Sequence, residues 1–217
     1  MQFLINFILH LDKHMEVIIK EYGTYTYAIL FLIIFIETGV IIMPFLPGDS
    51  LLFAVGAFCA KGSLNLPACL LLLYVAAVLG DTMNYWIGKR IGTNIFELKS
   101  RWIKQEYLLK TQRFYEKHGG KTIILARFLP IVRTFAPFIA GVGKMSYPKF
   151  LFYNLVGGAL WVLLFTLLGY FFGTLEIVQK NFSLVMLGII ALSVLPPIIE
   201  LMRKRKTTDI EHPTPKI

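Results

Sequence analysis

The sequence predicts an all-α polytopic membrane protein: an inverted repeat of a re-entrant helical hairpin plus a transmembrane helix, followed by a C-terminal transmembrane helix. Three observations carry this reading. Hydrophobic residues make up 56% of the 217 residues and charged residues only 16%, the composition of a chain that lives in a bilayer. Two apolar stretches are interrupted by paired prolines, where a simple spanning helix has no use for them. A shift of 81 residues superposes Gly62 on Gly143, Pro67 on Pro148, Leu70 on Leu151, Val75 on Val156, Leu79 on Leu160, Gly88 on Gly169 and Gly92 on Gly173. If neither hairpin crosses, each unit crosses once and the second is inverted relative to the first, an architecture found in transporters.

Residues 1–21 place Phe7, Ile8, Leu11, Met15 and Ile18 near helical spacing among balanced charges, which predicts an amphipathic helix at the membrane interface. No cleavable signal peptide is expected, because Asp12, Lys13, Glu16 and Lys20 break any clean apolar core. The membrane domain then runs over residues 22–201. Its first hairpin, about 22–61, has an apolar arm interrupted by Glu37 and Gly39. A turn follows at Pro44, Pro47 and Gly48, then a short arm from Leu51 that Asp49 and Ser50 can cap. Residues 67–92 form the first span, uncharged until Asp81 and basic at Lys89 and Arg90. The loop 93–121 carries seven lysines and arginines against three glutamates, so the positive-inside rule makes it cytoplasmic.

The second hairpin, about 122–143, holds Arg127, Pro130, Arg133, Thr134, Pro137 and Gly141. Each proline lacks an N–H and disfavours helix at the residue before it, so the backbone should break at both. Such a break is tolerated at membrane depth only where protein buries it or it lines a wet cavity. Six residues apart on an unbroken helix, the two arginines would diverge by about 120°; a break at Pro130 lets them converge. Residues 148–173 and 181–201 give the remaining spans, and the basic tail 202–217 is cytoplasmic. On this map residues 62–66 and 174–180 are periplasmic, as is the N-terminal helix. The Gly-x-x-x-Gly pairs that end both repeated spans read as helix-packing surfaces.

The formal charge of +9 does not indicate nucleic acid, because the basic residues cluster beside apolar segments. Cys59 and Cys69 sit in apolar stretches with no metal spacing or disulfide framework and read as packing residues. The four histidines lie outside the spans, and no nucleophile triad, phosphate-cradling glycine loop or metal motif is present, which counts against an enzyme and calls for no cofactor or metal. The chemistry that remains is Glu37, Asp49, Asp81, Arg127 and Arg133 in apolar surroundings. Intramembrane charges cost roughly 2.5–3.5 kcal/mol each on insertion scales and are functional candidates for that reason. Opposed hairpin tips would bring the carboxylates of Glu37 and Asp49 to the guanidiniums of Arg127 and Arg133. Arginine grips phosphate oxygens bidentately, a desolvated carboxylate can carry a proton, and helix starts at Ser50 and near Thr134 would offer N–H groups to an anion. The competing reading is an ion-pair cluster that only cancels its own charge. Asp81, near Asn84 and Tyr85, is either part of a helix-end polar cluster or a secondary proton site.

Three motifs, Glu37-x6-Pro44-x2-Pro47-Gly48-Asp49, Tyr115-Glu116-Lys117-His118-Gly119-Gly120-Lys121, and Ala126-Arg127-Phe128-x-Pro130-x2-Arg133-Thr134-x2-Pro137-x2-Ala140-Gly141, resemble the DedA family of bacterial inner-membrane proteins over nearly the whole chain. The resemblance implies two opposed re-entrant loops, shared with the VTT-domain lipid scramblases, and proton-motive-force-linked membrane homeostasis. It assigns importance to two acids of the first loop and two arginines of the second, which fall on Glu37, Asp49, Arg127 and Arg133. The first loop often ends in Pro-Gly-Glu; here Asp49 keeps the carboxylate and shortens its reach. The function expected is a proton-linked transporter flipping a phosphate-headed lipid such as undecaprenyl phosphate. A general phospholipid scramblase and a non-transporting structural or regulatory protein are the alternatives. The partners expected are membrane lipid and protons, not nucleic acid, with homo-oligomerisation left open.

Overall fold

A computed structural model describes residues 11–40, 48–91, 115–116, 118–182, 184–185 and 187–189, without the side chains of residues 11–15, 130 and 131. Every regular element among them is helical. Helix α1, Leu11–Tyr22, turns at Gly23 (φ +50°) into α2, Tyr25–Gly39. On α2, Thr26, Leu30, Ile34 and Thr38 repeat every four residues and are buried, while Tyr25, Leu32 and Ile36 face outward. An apolar outer face of this kind suits lipid and not water.

Helix α2 runs through Glu37 without interruption and ends at Gly39, with Val40 extended behind it. Glu37 finds a guanidinium partner and need not break the helix, and Gly39, the last helical residue, lies against Gly80 and Met83 of the next long helix. Helix α3, Gly48–Ala60, begins before Asp49 and Ser50, which occupy its first turn and not the capping position. It is buried on every side from Gly48 to Cys59, as expected of a helix that is apolar all round. At roughly 20 Å it is too short to cross a hydrocarbon core of about 30 Å.

Helix α4, Leu66–Ile91, and the later helix α7, Tyr147–Phe172, have 26 residues each and are long and apolar enough to cross a membrane. Both lie within one residue of the expected spans. Between them come a 3-10 turn at Gly119–Lys121, the short helix α5, Thr122–Ala126, a break over residues 127–129, and α6, Pro130–Val142. Leu129 is extended (φ −123°, ψ 100°) and Pro130 takes the first helical position, where its missing N–H costs nothing.

Pro137, by contrast, does not break the chain: it lies inside α6. Carbonyls beside it receive donors from elsewhere, Asn84 Nδ2 to Thr134 O at 2.8 Å and the Tyr115 hydroxyl to Ala136 O at 3.0 Å. Outside donors of this kind are what let proline persist in a membrane helix. Helix α8, Glu176–Lys180, follows α7. Phe182, at the start of the expected last span, packs against Phe53 with ring centroids 6.4 Å apart. Residues 183, 186 and 190–201 of that span, the tail, Pro44, Pro47 and most of the loop 93–121 lie outside the described residues.

The two short arms cross over. Helix α3 packs along α7, and α6 packs along α4. At the first crossing Gly56 meets the Thr166 carbonyl and the Tyr170 amide, and Gly169 meets the backbone of Phe53. At the second, Gly141 meets the Tyr85 carbonyl and the Lys89 amide, and Gly88 meets the backbone of Phe138. These glycine contacts of one crossing have their counterparts in the other. A Cβ on any of these four glycines would collide with backbone, so close approach fixes their identity.

Candidate functional site

Where the starts of α3 and α6 meet, Arg133 lies in the first turn of α6 and Asp49 in the first turn of α3. Arg133 Nη1 donates to Asp49 Oδ1 at 3.0 Å, and Nη2 donates to Glu37 Oε1 from the end of α2. Glu37 Oε1 also accepts the Gly48 N–H at 3.2 Å, and a Cβ on Gly48 would strike the Glu37 carboxylate. A side chain at position 48 would therefore displace the Glu37 carboxylate from its place beside Arg133.

Arg127 sits in the break between α5 and α6. Its Nη2 donates to Asp81 Oδ2 at 2.5 Å and to Asn154 Oδ1 at 2.6 Å. Asn154 is oriented in turn by Val78 O at 3.1 Å. The guanidinium stem lies against Gly157 and Gly158 of α7, where a side chain would crowd it. Trp161 joins the two halves: its indole N–H donates to Asp49 Oδ1 at 2.7 Å. Its ring faces Arg133 Cζ at 5.0 Å and Arg127 Cζ at 5.9 Å, within cation–π range.

The cluster is largely buried: Glu37, Asp81, Arg127 and Trp161 are each no more than 2% exposed, Arg133 7% and Asp49 8%. Asp81 and Trp161 lie about 22 and 21 Å along helices of about 39 Å, near the middle of each. Three carboxylates face two guanidiniums, so one proton makes the set neutral. Arg133 Nε, and Arg127 Nε and Nη1, are buried without a hydrogen bond to any described residue, leaving donors for an oxyanion, and the acceptor Glu37 Oε2 is likewise buried without one.

All five charged residues singled out from sequence thus come together, with a different division than expected. Glu37 and Asp49 share Arg133, while Arg127 is held by Asp81, which moves from a secondary place to the centre. Ser50 Oγ is buried nearby without a hydrogen bond to any described residue, and Thr134 is buried one turn into α6. Asn154 and Trp161 escaped the sequence reading. Asn154 was visible as a polar residue in an uncharged span; Trp161 carried no signal apart from its size.

A VTT domain model matches residues 46–171, a stretch that takes in Asp49, Asp81, Arg127, Arg133, Asn154 and Trp161 but stops short of Glu37. Protein DedA of Escherichia coli K12 is 55% identical over 207 residues, 94% of each chain. Uncharacterized membrane protein ML0287 of Mycobacterium leprae is 48% identical over 77% of this chain and 75% of its own. Inner membrane protein YqjA of Escherichia coli K12 is 38% identical over 71% of this chain and 70% of its own. No solved structure matches the chain.

Proposed function

The chain belongs to the DedA family of VTT-domain membrane proteins, and from that membership we propose that it is a proton-coupled transporter of a phosphate-headed lipid, such as undecaprenyl phosphate, in the bacterial inner membrane. It moves the lipid towards the cytoplasm and catalyses no reaction. The observation that carries this reading is the sharing of buried Arg133 between Glu37 and Asp49 at the facing starts of two short helices. A proton taken up by either acid weakens its hold on the guanidinium and frees the fork for phosphate oxygens. The incoming phosphate then replaces the charge that the proton removed.

The crossed arms support an inverted repeat of two re-entrant hairpins, α2–α3 and α5–α6, each followed by one span, α4 or α7. In that arrangement the helix starts meet from opposite sides at mid-depth. The basic loop 93–121 and the tail are then cytoplasmic. Cysteine labelling at residue 104 from the cytoplasmic side and at residue 176 from the periplasmic side checks the topology; the reverse pattern contradicts it.

A structural role has one observation in its favour, confined to Arg127: Asp81 and Asn154 hold it against two glycines, which ties α4, the α5–α6 break and α7 together. We assign Arg127 to bracing and orienting the site and Arg133 to exchange. The test is flipping of labelled polyprenyl phosphate against labelled phosphatidylcholine by the purified protein in liposomes, with and without a pH gradient. The proposal expects the polyprenyl phosphate to be preferred and the gradient to drive it. Equal movement of both without a gradient would indicate a general scramblase.

A further inference from the structure

On the outer side of α4, remote from the ion cluster in function, a groove of about 600 Å³ is lined by Met83, Trp86, Ile87, Lys89 and Arg90. Among the described residues its lining holds two cations and no carboxylate. Lys89 Nζ is held over the Trp86 ring at 4.7 Å and near the Tyr85 ring at 6.0 Å. Trp86 leans on Tyr147 with centroids 5.5 Å apart, and Tyr85 stacks on Phe150 at 4.4 Å. The ammonium thus rests on an aromatic shelf built from α4 and α7 instead of swinging free.

Trp86 is 48% exposed, in continuity with the exposed apolar residues Leu79, Val75 and Leu71, which repeat every four positions below it. From Lys89 down to Leu79 the helix falls about 15 Å, half of a hydrocarbon core of about 30 Å and so the depth of one leaflet. We propose that this groove binds the headgroup of an anionic phospholipid, its phosphate on Lys89 and Arg90 and its acyl chains descending over Met83 and Leu79. An acidic soluble protein fits less well, because the groove opens onto the apolar stripe and its aromatic rim suits the membrane interface. The inference needs only that the chain sits in a bilayer and does not depend on the transport reading.

The test places the full chain in phosphatidylcholine vesicles and measures the motionally restricted fraction of spin-labelled phosphatidylglycerol against spin-labelled phosphatidylcholine. Phosphatidylglycerol should be preferred, and the preference should shrink as salt is raised. Lys89→Gln with Arg90→Gln should lower it by about fivefold for each cation removed, the scale of one basic side chain near a membrane surface. Lys144→Gln with Lys149→Gln, which remove charge outside this groove, should leave it unchanged. If the doubly substituted chain fails to insert, Arg90→Gln alone is read, with a loss of about fivefold expected. Equal association of the two lipids with the unsubstituted protein overturns the proposal. So does a preference that Arg90→Gln leaves intact.

Discussion

Glu37 and Asp81 look alike in the sequence, each an acid in an apolar stretch, but their substitutions should separate. Arg133 has two carboxylate partners, so Glu37→Gln leaves it Asp49. Arg127 has Asp81 as its carboxylate partner among the described residues, so Asp81→Asn leaves a buried guanidinium without a counter-charge. Breaking a buried pair in this way typically costs about 3–5 kcal/mol. Asp81→Asn should therefore deplete the protein from the membrane, whereas Glu37→Gln should be present at normal level and inactive; quantitative immunoblotting beside a transport assay reads both. Arg133→Lys keeps the charge and loses the planar fork, and with it a charge-assisted hydrogen bond of roughly 1.5–3 kcal/mol, so transport should fall roughly tenfold to a hundredfold. Trp161→Phe keeps the ring beside both arginines and loses the N–H to Asp49. It should weaken transport with little effect on protein level, and an unchanged transport rate would remove Trp161 from the machinery.

Among the elements, the two crossings make the sharpest claim, since Gly56 and Gly141 occupy matching places against α7 and α4. Gly56→Ala and Gly141→Ala should each force the crossing helices apart, at a typical overpacking cost of about 1–3 kcal/mol, and lower the detergent-solubilised melting temperature by similar amounts. A large loss from one with none from the other would break the equivalence. The same glycines explain why the repeat was only partly legible. Along the spans Gly88 and Gly169, like Tyr85 and Thr166, stand 81 residues apart, and that shift was visible. Along the short arms Phe53 and Phe138, like Gly56 and Gly141, stand 85 apart, a slip of about one helical turn that keeps the same face inward. No single shift could align both. The break at Pro130 was legible because proline there coincides with an extended Leu129. The continuity through Pro137 was not, because Asn84 and Tyr115, which support the neighbouring carbonyls, are distant in sequence. The pairing of Arg127 with Asp81 was hidden for the same reason, being set by how α4 and α7 flank the break.

At the scale of the molecule, the described residues hold two helices long enough to span, two short buried arms and one buried cluster of three acids and two arginines, a device with an odd carboxylate. In the proposed cycle a proton on Glu37 or Asp49 and a phosphate on Arg133 enter and leave together. The most direct measurement is proton movement during lipid transport. Liposomes holding the purified protein and a lumenal pH-sensitive dye receive polyprenyl phosphate on one side, with no gradient imposed. The account predicts a lumenal pH change that tracks the amount of lipid moved, disappears in Glu37→Gln and falls with transport, by roughly tenfold to a hundredfold, in Arg133→Lys. Lipid movement at the full rate with no accompanying change in pH would contradict it.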